Sequence, residues 1–264
     1  MRVKKDDISY VSPEMYDEDY FLKHRAGAEE FRKTKGKTLH RKHSLVLRYA
    51  EVQKDEKIID IGCGCGEIVI HSGAKGAYAI GLDYSMTGLL LAKKAASQQL
   101  SYTRGNVSFL KSVAWEIPFA SEIFDKVFLI DLIEHLPSKK TAKTLEEIKR
   151  IMKPSGVLII HTWPNVWFYN YIHPIIYIFR TYVARQNVPF NPRDKYDQII
   201  HINEQSPLKL AKILRKSGFK YRIWLYPSTD SEKRTLYGIL SYLLQTTWPF
   251  KFLFCCDIWG KALK

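Results

Sequence analysis

A turn with three glycines at alternate positions follows a run of β-branched residues in "IIDIGCGCGEI", residues 58–68. The β-branched run is typical of a buried strand, and one glycine would be enough for an ordinary tight turn. Gly62, Gly64 and Gly66 together expose bare backbone at a single point. Ligands of open α/β sheets bind at the carboxyl ends of the strands, so the turn predicts a ligand that lies against the main chain.

Short apolar runs alternate with amphipathic helical patterns along the middle of the chain. This alternation predicts an α/β fold with a doubly wound, mostly parallel Rossmann-like sheet and helices on both faces. Ser85 and Ser206 stand where they would cap two of the helices. The strand patterns cover residues 57–61, 77–83, 106–112, 124–131, 156–163 and 219–226, and the helical patterns begin at residues 85, 141 and 206.

The pattern divides the chain into a core and flanking segments. We predict an N-terminal basic cap over residues 1–50, a core over residues 51–226 and a C-terminal amphipathic helical segment over residues 227–264. An aromatic-rich insertion at about residues 163–200 interrupts the core, and we interpret it as a lid. The lid and the final segment both mix aromatic and aliphatic residues with Lys or Arg, as helices in a membrane interface do.

Composition narrows the choice of partners and compartment. The formal net charge of +14 indicates attraction to an anionic partner such as nucleic acid, a membrane surface or a phosphorylated substrate. The four cysteines form two close pairs whose spacing suits neither a zinc site nor a disulfide framework, so we predict no metal site and a reducing, cytoplasmic environment. Residues 1–10 lack the apolar core of a signal peptide, and residues 154–179 carry too many polar residues for a spanning helix.

Acidic residues surround the glycine turn. Glu67 occupies the position of the third glycine of a dinucleotide fingerprint and would repel a pyrophosphate, whereas it suits a ligand with cationic groups. Asp60 precedes the turn and adds a second negative charge. Asp83 ends the second strand, where an acid can accept hydrogen bonds from ribose hydroxyls.

Four segments in order resemble the class I S-adenosylmethionine-dependent methyltransferases over about residues 55–225. The segments are "DIGCGCGE", "GLDYS", "AWEIPFASEIFDKVFLIDLIEHL" and "RIMKPSGVLII". The chain looks like a type 11-like member of this family and is similar to members that modify saccharide or lipid intermediates. The resemblance implies S-adenosyl-L-methionine as the cofactor and places the end of the fourth strand beside the transferred methyl group.

The resemblance also implies which residues bind the cofactor. One position departs from the family: Val113 stands where many relatives carry the acid that binds the adenine amine, so adenine recognition would depend on backbone groups near Val113 and Ala114, or on Ser112. The predicted cofactor-binding residues are Asp60, Gly62, Cys63, Gly64, Gly66, Asp83, Tyr84, Val113, Ala114 and Asp131.

Three histidines are candidates for the base that removes an acceptor proton. His201 is the favoured candidate, because relatives that modify saccharides or lipid intermediates often direct a histidine at this point into the cleft. His135 and His161 are the alternatives. Asp131 and Glu134 are candidates for orienting the acceptor.

The expected function is O-methylation of a saccharide, lipid-linked or other amphipathic acceptor at the cytoplasmic face of a membrane, with peripheral membrane contact. The segment after strand four lacks the Asn/Asp-Pro-Pro-Tyr motif common in enzymes that methylate base amines, which weighs against adenine or cytosine amines in nucleic acid. Two alternatives remain open: an RNA methyltransferase, or a non-catalytic S-adenosylmethionine-binding partner subunit. The sequence leaves the oligomeric state open.

Overall fold

A computed structural model describes residues 10–99, 106–183, 185–227 and 242–264. One seven-stranded sheet forms the centre of the molecule, and helices cover both of its faces. The strands are β1 (Lys57–Ile61), β2 (Tyr78–Asp83), β3 (Val107–Lys111), β4 (Phe124–Ile130), β5 (Met152–Thr162), β6 (Lys220–Tyr226) and β7 (Asp257–Leu263). The main helices are α1 (Ala28–Thr34), α2 (Arg41–Ala50), α3 (Glu67–Ala74), α4 (Met86–Ser97), α5 (Ser138–Ile151), α6 (His173–Ile178), α7 (Lys195–Ile200) and α8 (Pro207–Lys216).

The strand order across the sheet is β3-β2-β1-β4-β5-β7-β6. Strands β1 to β5 pair in parallel, and β7 runs antiparallel to both β5 and β6. The order reverses direction between β1 and β4, which opens a crevice at the carboxyl ends of these strands. The expected α/β fold with a mostly parallel sheet is confirmed.

The central strands are apolar on both faces, because helices cover each face of the sheet. Val127 and Leu158 pack into one hydrophobic cluster, whereas their chain neighbours Phe128 and Ile159 pack into the cluster on the other face. All four side chains are fully buried. The core therefore holds β1, β4 and β5 rigidly and fixes the positions of the loops that follow them.

The helix starts agree with the capping signals in the sequence. The Ser85 hydroxyl accepts a hydrogen bond from the Gly88 N–H (3.3 Å) and caps α4. The Ser206 hydroxyl accepts one from the Lys209 N–H (3.2 Å), and Pro207 occupies the first turn of α8. These local bonds satisfy backbone donors that a helix start would leave free.

The basic cap folds against the core and does not stand apart from it. Arg25 donates a hydrogen bond to Glu67 at the start of α3 (2.7 Å), and both side chains are almost fully buried. Phe21 and Phe31 pack with Ile70 in a third hydrophobic cluster. Glu67 therefore neutralises a cap residue, so its charge is already compensated within the protein.

The lid insertion is helical from the π-helical turn at Phe168–Ile172 through α6 to the π-helical turn at Phe179–Val183. At the root of this lid, the Asn165 side-chain amide donates to the carbonyl oxygens of Phe252 and Cys255 (2.9 Å each). These bonds tie the lid to the final part of the chain. Among the described residues, no helix combines the length and the hydropathy that crossing a bilayer requires.

The end of the chain differs from the expected helical segment. The residues of β7 form a strand inserted between β5 and β6, and Trp259 is 1% exposed at its centre. The prediction of an amphipathic helix is therefore wrong for Asp257–Leu263, where the Trp259 ring packs against Tyr49 and Trp224 inside the protein. Trp248 and Phe250 do remain exposed, and residues 228–241 lie outside the described residues.

Candidate functional site

The glycine turn between β1 and α3 adopts a backbone that other residues rarely tolerate. Gly62, Gly64 and Gly66 all have positive φ angles of 78°, 51° and 76°. A Cβ atom on Gly66 would lie 2.5 Å from the Phe109 ring, so this glycine is also required by packing. The turn thus presents bare backbone at the carboxyl end of β1, as the sequence predicts.

Asp83 joins the glycine turn to the end of β2. Its Oδ2 accepts a hydrogen bond from the Gly64 N–H (2.8 Å), and its Oδ1 accepts one from the Ser85 N–H (2.8 Å). Burial raises the pKa of the Asp83 carboxyl, and these backbone donors oppose the increase. Asp60 is also buried, and burial together with the charges of Asp83 and Glu67 raises its pKa well above the ordinary range.

A cavity of about 540 Å³ opens above the carboxyl ends of β1, β2 and β4, partly enclosed by the basic cap. Every predicted cofactor-binding residue lines it except Gly66, which supports the turn from behind. The three predicted catalytic residues, His201, His135 and Asp131, also line it. The structure therefore brings together the two sets of residues that the sequence singles out.

Asp131 is both a predicted cofactor-binding residue and a predicted catalytic residue. It follows β4 with a φ of +49°, and its carboxylate makes ion pairs with Lys42 of the cap and with Nδ1 of His161. Burial would raise the pKa of Asp131, but Lys42 and His161 hold it well below its usual range. The carboxylate is therefore ionised at neutral pH despite its enclosed position.

Histidines and a carboxyl group line the part of the cavity beyond Asp131. The His135 and His201 rings are in edge contact, with centroids 4.9 Å apart, and the Tyr16 hydroxyl lies 3.1 Å from His135 Nδ1. Burial lowers the pKa of His135 to about 4, so its imidazole is neutral at neutral pH. Burial and the charge of Asp131 raise the pKa of Glu134 to about 8. This part of the cavity thus holds largely uncharged hydrogen-bonding groups.

Comparison with known proteins agrees with this geometry. Residues 59–160 match the family model described as a methyltransferase domain. The chain is 36% identical over 125 residues to the chloroplastic tocopherol O-methyltransferase of Arabidopsis thaliana, an alignment that covers 44% of this chain and 34% of that protein. It is 25% identical over 190 residues to a ubiquinone biosynthesis O-methyltransferase of Saccharophagus degradans, which covers 70% of this chain and 73% of the relative.

Residues 59–160 therefore form a methyltransferase domain of the class I S-adenosylmethionine-dependent type. The alignments span only 27% to 46% of the length of the first curated relatives. In fold, the chain is similar to the magnesium protoporphyrin IX methyltransferase of Synechocystis with bound S-adenosylhomocysteine, with a TM-score of 0.57 and 16% identity over 93% of this chain and 97% of the other.

The cavity fits the cofactor of this family, S-adenosylmethionine. The positive φ angles of the glycine turn leave no side chain between the backbone and a ligand, and the Asp83 carboxylate faces the same space. Ser112, Val113 and Ala114 line the adjacent wall, where adenine recognition is expected. The roles of the individual residues in cofactor binding stay predictions.

The cavity also contains residues that the sequence analysis did not select. Tyr16 and Lys42 reach it from the cap, and Asp257 and Trp259 reach it from β7. The sequence shows a basic run around Lys42, but no neighbouring residue indicates that Lys42 pairs with Asp131. Asp257 could be found only by recognising β7 as part of the sheet.

Glu134, His135 and His201 have potential ligand atoms within 4.8 Å of one another, a spacing that could hold a metal ion. Each of the first two already has a partner in the protein. Thr162 donates to Glu134 Oε2 (2.8 Å), and the Tyr16 hydroxyl contacts His135. These contacts give Glu134 and His135 partners within the protein, and the prediction of no metal site stays a prediction.

The pKa of Glu134 leads to a testable dependence of stability on pH. Its folded-state pKa of about 8 exceeds the ordinary value of 4.5, so the protonated group stabilises the fold fully below pH 4.5 and this contribution is lost as the pH rises toward 8. We expect the free energy of unfolding of Glu134→Gln to depend less on pH across this window than that of the wild type. The change that is lost amounts to up to about a few kcal/mol at the upper end of the window. Urea denaturation at several pH values measures this.

The matched control is Glu146→Gln on the exposed side of α5, which should leave the pH profile unchanged. A Glu134→Gln profile with the same slope as the wild type would show that Glu134 is already ionised in the folded protein.

Proposed function

We propose that the protein transfers the methyl group of S-adenosylmethionine to a hydroxyl oxygen of a saccharide, lipid-linked or other amphipathic acceptor at the cytoplasmic face of a membrane. The cofactor supplies an activated methyl on a sulfonium, so the protein must position the acceptor and remove its proton. The observation that carries the proposal is the contact between the His135 and His201 rings at the wall of the cavity, where Trp163 at the start of the lid also contacts His201.

His201 is the proposed base. Its ring is 4% exposed and lines the cavity, and its Nε2 lies 3.5 Å from Asp197 Oδ1. A neighbouring carboxylate orients an imidazole and favours its protonation, as a general base requires. Because the Tyr16 hydroxyl already engages His135, that residue is better placed to orient the acceptor together with Asp131.

The lid root reaches into the same part of the cavity. The Trp163 ring lies between the rings of Tyr169 and His201, with centroid distances of 6.0 and 5.7 Å. The Arg193 guanidinium lies over the Tyr169 ring, 4.3 Å from its centroid, and pairs with Glu204, close to His201 in the chain. An acceptor held near His201 would therefore contact the lid, which suits a molecule with an apolar portion.

The outer side of the lid carries an exposed apolar stripe. Tyr171, Ile175, Ile178 and Tyr182 recur at helical spacing, and each is more than half exposed. Exposed apolar groups gathered in one place mark interaction surfaces. We define the apolar lid face as Tyr171, Ile175, Ile178, Phe179, Tyr182, Trp248 and Phe250, the last two from the segment tied to the lid root.

Charge and composition favour a membrane as the partner of the apolar lid face. Arg180 and Lys251 lie in the same segments, and the whole chain carries a net charge of +14. Aromatic and aliphatic residues with nearby cations are the composition of segments that lie in an anionic membrane interface. Relatives named for tocopherol, ubiquinone and sterol methylation act on hydrophobic molecules, which is consistent with such a location.

The acceptor class can be tested with S-adenosylmethionine that carries a radioactive methyl group. Purified protein is incubated separately with total lipid extract, glycan precursors and total RNA, and the His201→Ala variant serves as the matched control. We expect label in the lipid or glycan pool, and its loss in the variant with cofactor affinity unchanged. Label in RNA alone would replace this proposal with RNA methylation. Cofactor binding without transfer to any pool would indicate a non-catalytic partner subunit.

The apolar lid face gives a separate prediction for membrane contact. Replacing Ile178 and Tyr182 with serine should weaken binding to anionic vesicles by at least about tenfold, because each buried side chain contributes roughly 1.5 kcal/mol or more. Flotation with anionic and neutral vesicles at two salt concentrations measures this. The control is Tyr78→Ser, which removes an aromatic that is 44% exposed at the amino end of β2. Equal flotation of both variants would contradict the assignment of this surface.

A further inference from the structure

His161, near the end of β5, is fully buried and meets a carboxylate at each ring nitrogen. Its Nδ1 is hydrogen-bonded to Asp131, and its Nε2 lies 3.0 Å from Oδ1 of Asp257. An ionised carboxylate can only accept hydrogen bonds, so two such partners require an N–H on both nitrogens. The geometry therefore fits a positively charged imidazolium.

The register of the sheet explains this arrangement. His161 pairs with Trp259 across β5 and β7, so the two side chains lie on the same face, with ring centroids 4.5 Å apart. Asp257 is two residues from Trp259 and is therefore the diagonal neighbour of His161 on that face. On the other side, the Asp131 N–H donates to the His161 carbonyl oxygen (3.0 Å), which aligns the end of β4 with β5.

Charged groups from every packed element surround this contact. Lys42 comes from α2, Asp131 and Glu134 follow β4, and Asp257 begins β7. With Glu134 protonated, the carboxylates of Asp131 and Asp257 face the cations of Lys42 and His161, so the charges of these four residues balance. Asp131 and Asp257 line the cavity, whereas His161 lies behind them.

We propose that Asp257 is a positioning residue of the transfer site: through His161 it holds the Asp131 carboxylate ionised and fixed in direction where the two parts of the cavity meet. This proposal rests on the proposed methyl transfer. Asp131 is the residue that faces the reacting groups, and His161 and Asp257 act through it.

The proposal has a physical consequence for Asp131. Its carboxylate has two cationic partners, Lys42 on a flexible side chain and His161 on a rigid strand. If His161 loses its charge, a neutral Nδ1–H is the most that the ring can offer to Asp131, and of the two cationic partners only Lys42 remains. The sheet then holds the direction of the carboxylate less firmly. Burial and the charge of Lys42 lower the pKa of His161, but the Asp131 carboxylate and, to a smaller degree, the hydrogen bond with Asp257 raise it above its ordinary value.

Nuclear magnetic resonance of the imidazole nitrogens tests the charge without any substrate. The wild-type protein and Asp257→Asn are prepared with nitrogen-15 histidine, and His161→Gln assigns the signal of His161 among the eight histidines. We expect two protonated nitrogens at His161 in the wild type across the neutral pH range. In Asp257→Asn we expect the ring to titrate within that range. An unprotonated nitrogen at His161 in the wild type would overturn the proposal, whether or not the variant folds.

Turnover provides the second measurement, with labelled S-adenosylmethionine and total lipid extract. We expect Asp257→Asn to lower kcat about tenfold above the new pKa of His161 and much less below it, while KM for the cofactor stays within about twofold. Asp125→Asn, which removes a carboxylate at the far end of β4, is the control. A variant with the wild-type pH profile would contradict the proposal. If His161 is charged but no extract receives the methyl group, the contact between Asp257 and His161 is supported and the proposed function is refuted.

Discussion

Replacing Asp83 with alanine is expected to weaken S-adenosylmethionine binding at least about a hundredfold. The carboxylate is predicted to accept hydrogen bonds from ribose hydroxyls, and hydrogen bonds to a charged group contribute roughly 1.5–3 kcal/mol each. It also holds the Gly64 N–H, so the variant loosens the glycine turn at the same time. Isothermal titration calorimetry measures the affinity, and thermal unfolding measures the accompanying loss of stability, for which we expect about 1–3 kcal/mol.

Asp125→Asn separates cofactor binding from stability. The Asp125 carboxylate also accepts a backbone hydrogen bond, from the Lys57 N–H (2.9 Å), but it lies outside the cavity. This variant should bind the cofactor as the wild type does. If Asp83→Ala retains wild-type affinity, Asp83 is only a structural residue of the turn.

Replacing Trp259 with alanine is expected to lower the free energy of unfolding by about 3–5 kcal/mol. The ring is 1% exposed and packs between Tyr49, Trp224 and His161. Urea denaturation followed by circular dichroism measures the change. Trp248→Ala is the matched control, because that ring is 76% exposed and its loss should change stability by less than about 0.5 kcal/mol.

The same packing limits how membrane binding can be tested. A chain truncated before Leu236 loses the exposed Trp248 but also the whole of β7. Its failure to bind vesicles would then reflect unfolding and not the loss of a membrane contact. Point substitutions on the apolar lid face avoid this problem.

Local signals in the sequence predict the centre of the fold and the cofactor part of the cavity. The glycine turn, the acid that ends β2 and the serine caps of α4 and α8 each depend on residues that are neighbours in the chain. Strands β1 to β6 follow from apolar runs bounded by turn residues. These features could be predicted because each is determined within about ten residues.

Contacts between distant segments could not be predicted in this way. The mixture of aromatic, aliphatic and basic residues around Trp259 fits an interfacial helix and a strand buried by its neighbours equally well, and only the gap between β5 and β6 decides between them. Lys42 lies in a basic run that is typical of an exposed surface, although its side chain is only 13% exposed and pairs with Asp131. Tyr16 and Asp257 have no local signal for a role in the site.

The insertion of β7 between β5 and β6 has a kinetic consequence. Until β7 docks, β5 and β6 each present an unpaired edge, and such edges can pair with another molecule. Closing the sheet also requires contacts between residues about a hundred positions apart, which slows folding because the loop must close before the contacts form. An intermediate that lacks only β7 would have the parallel half of the sheet in place, and it would be the species most prone to aggregate during refolding.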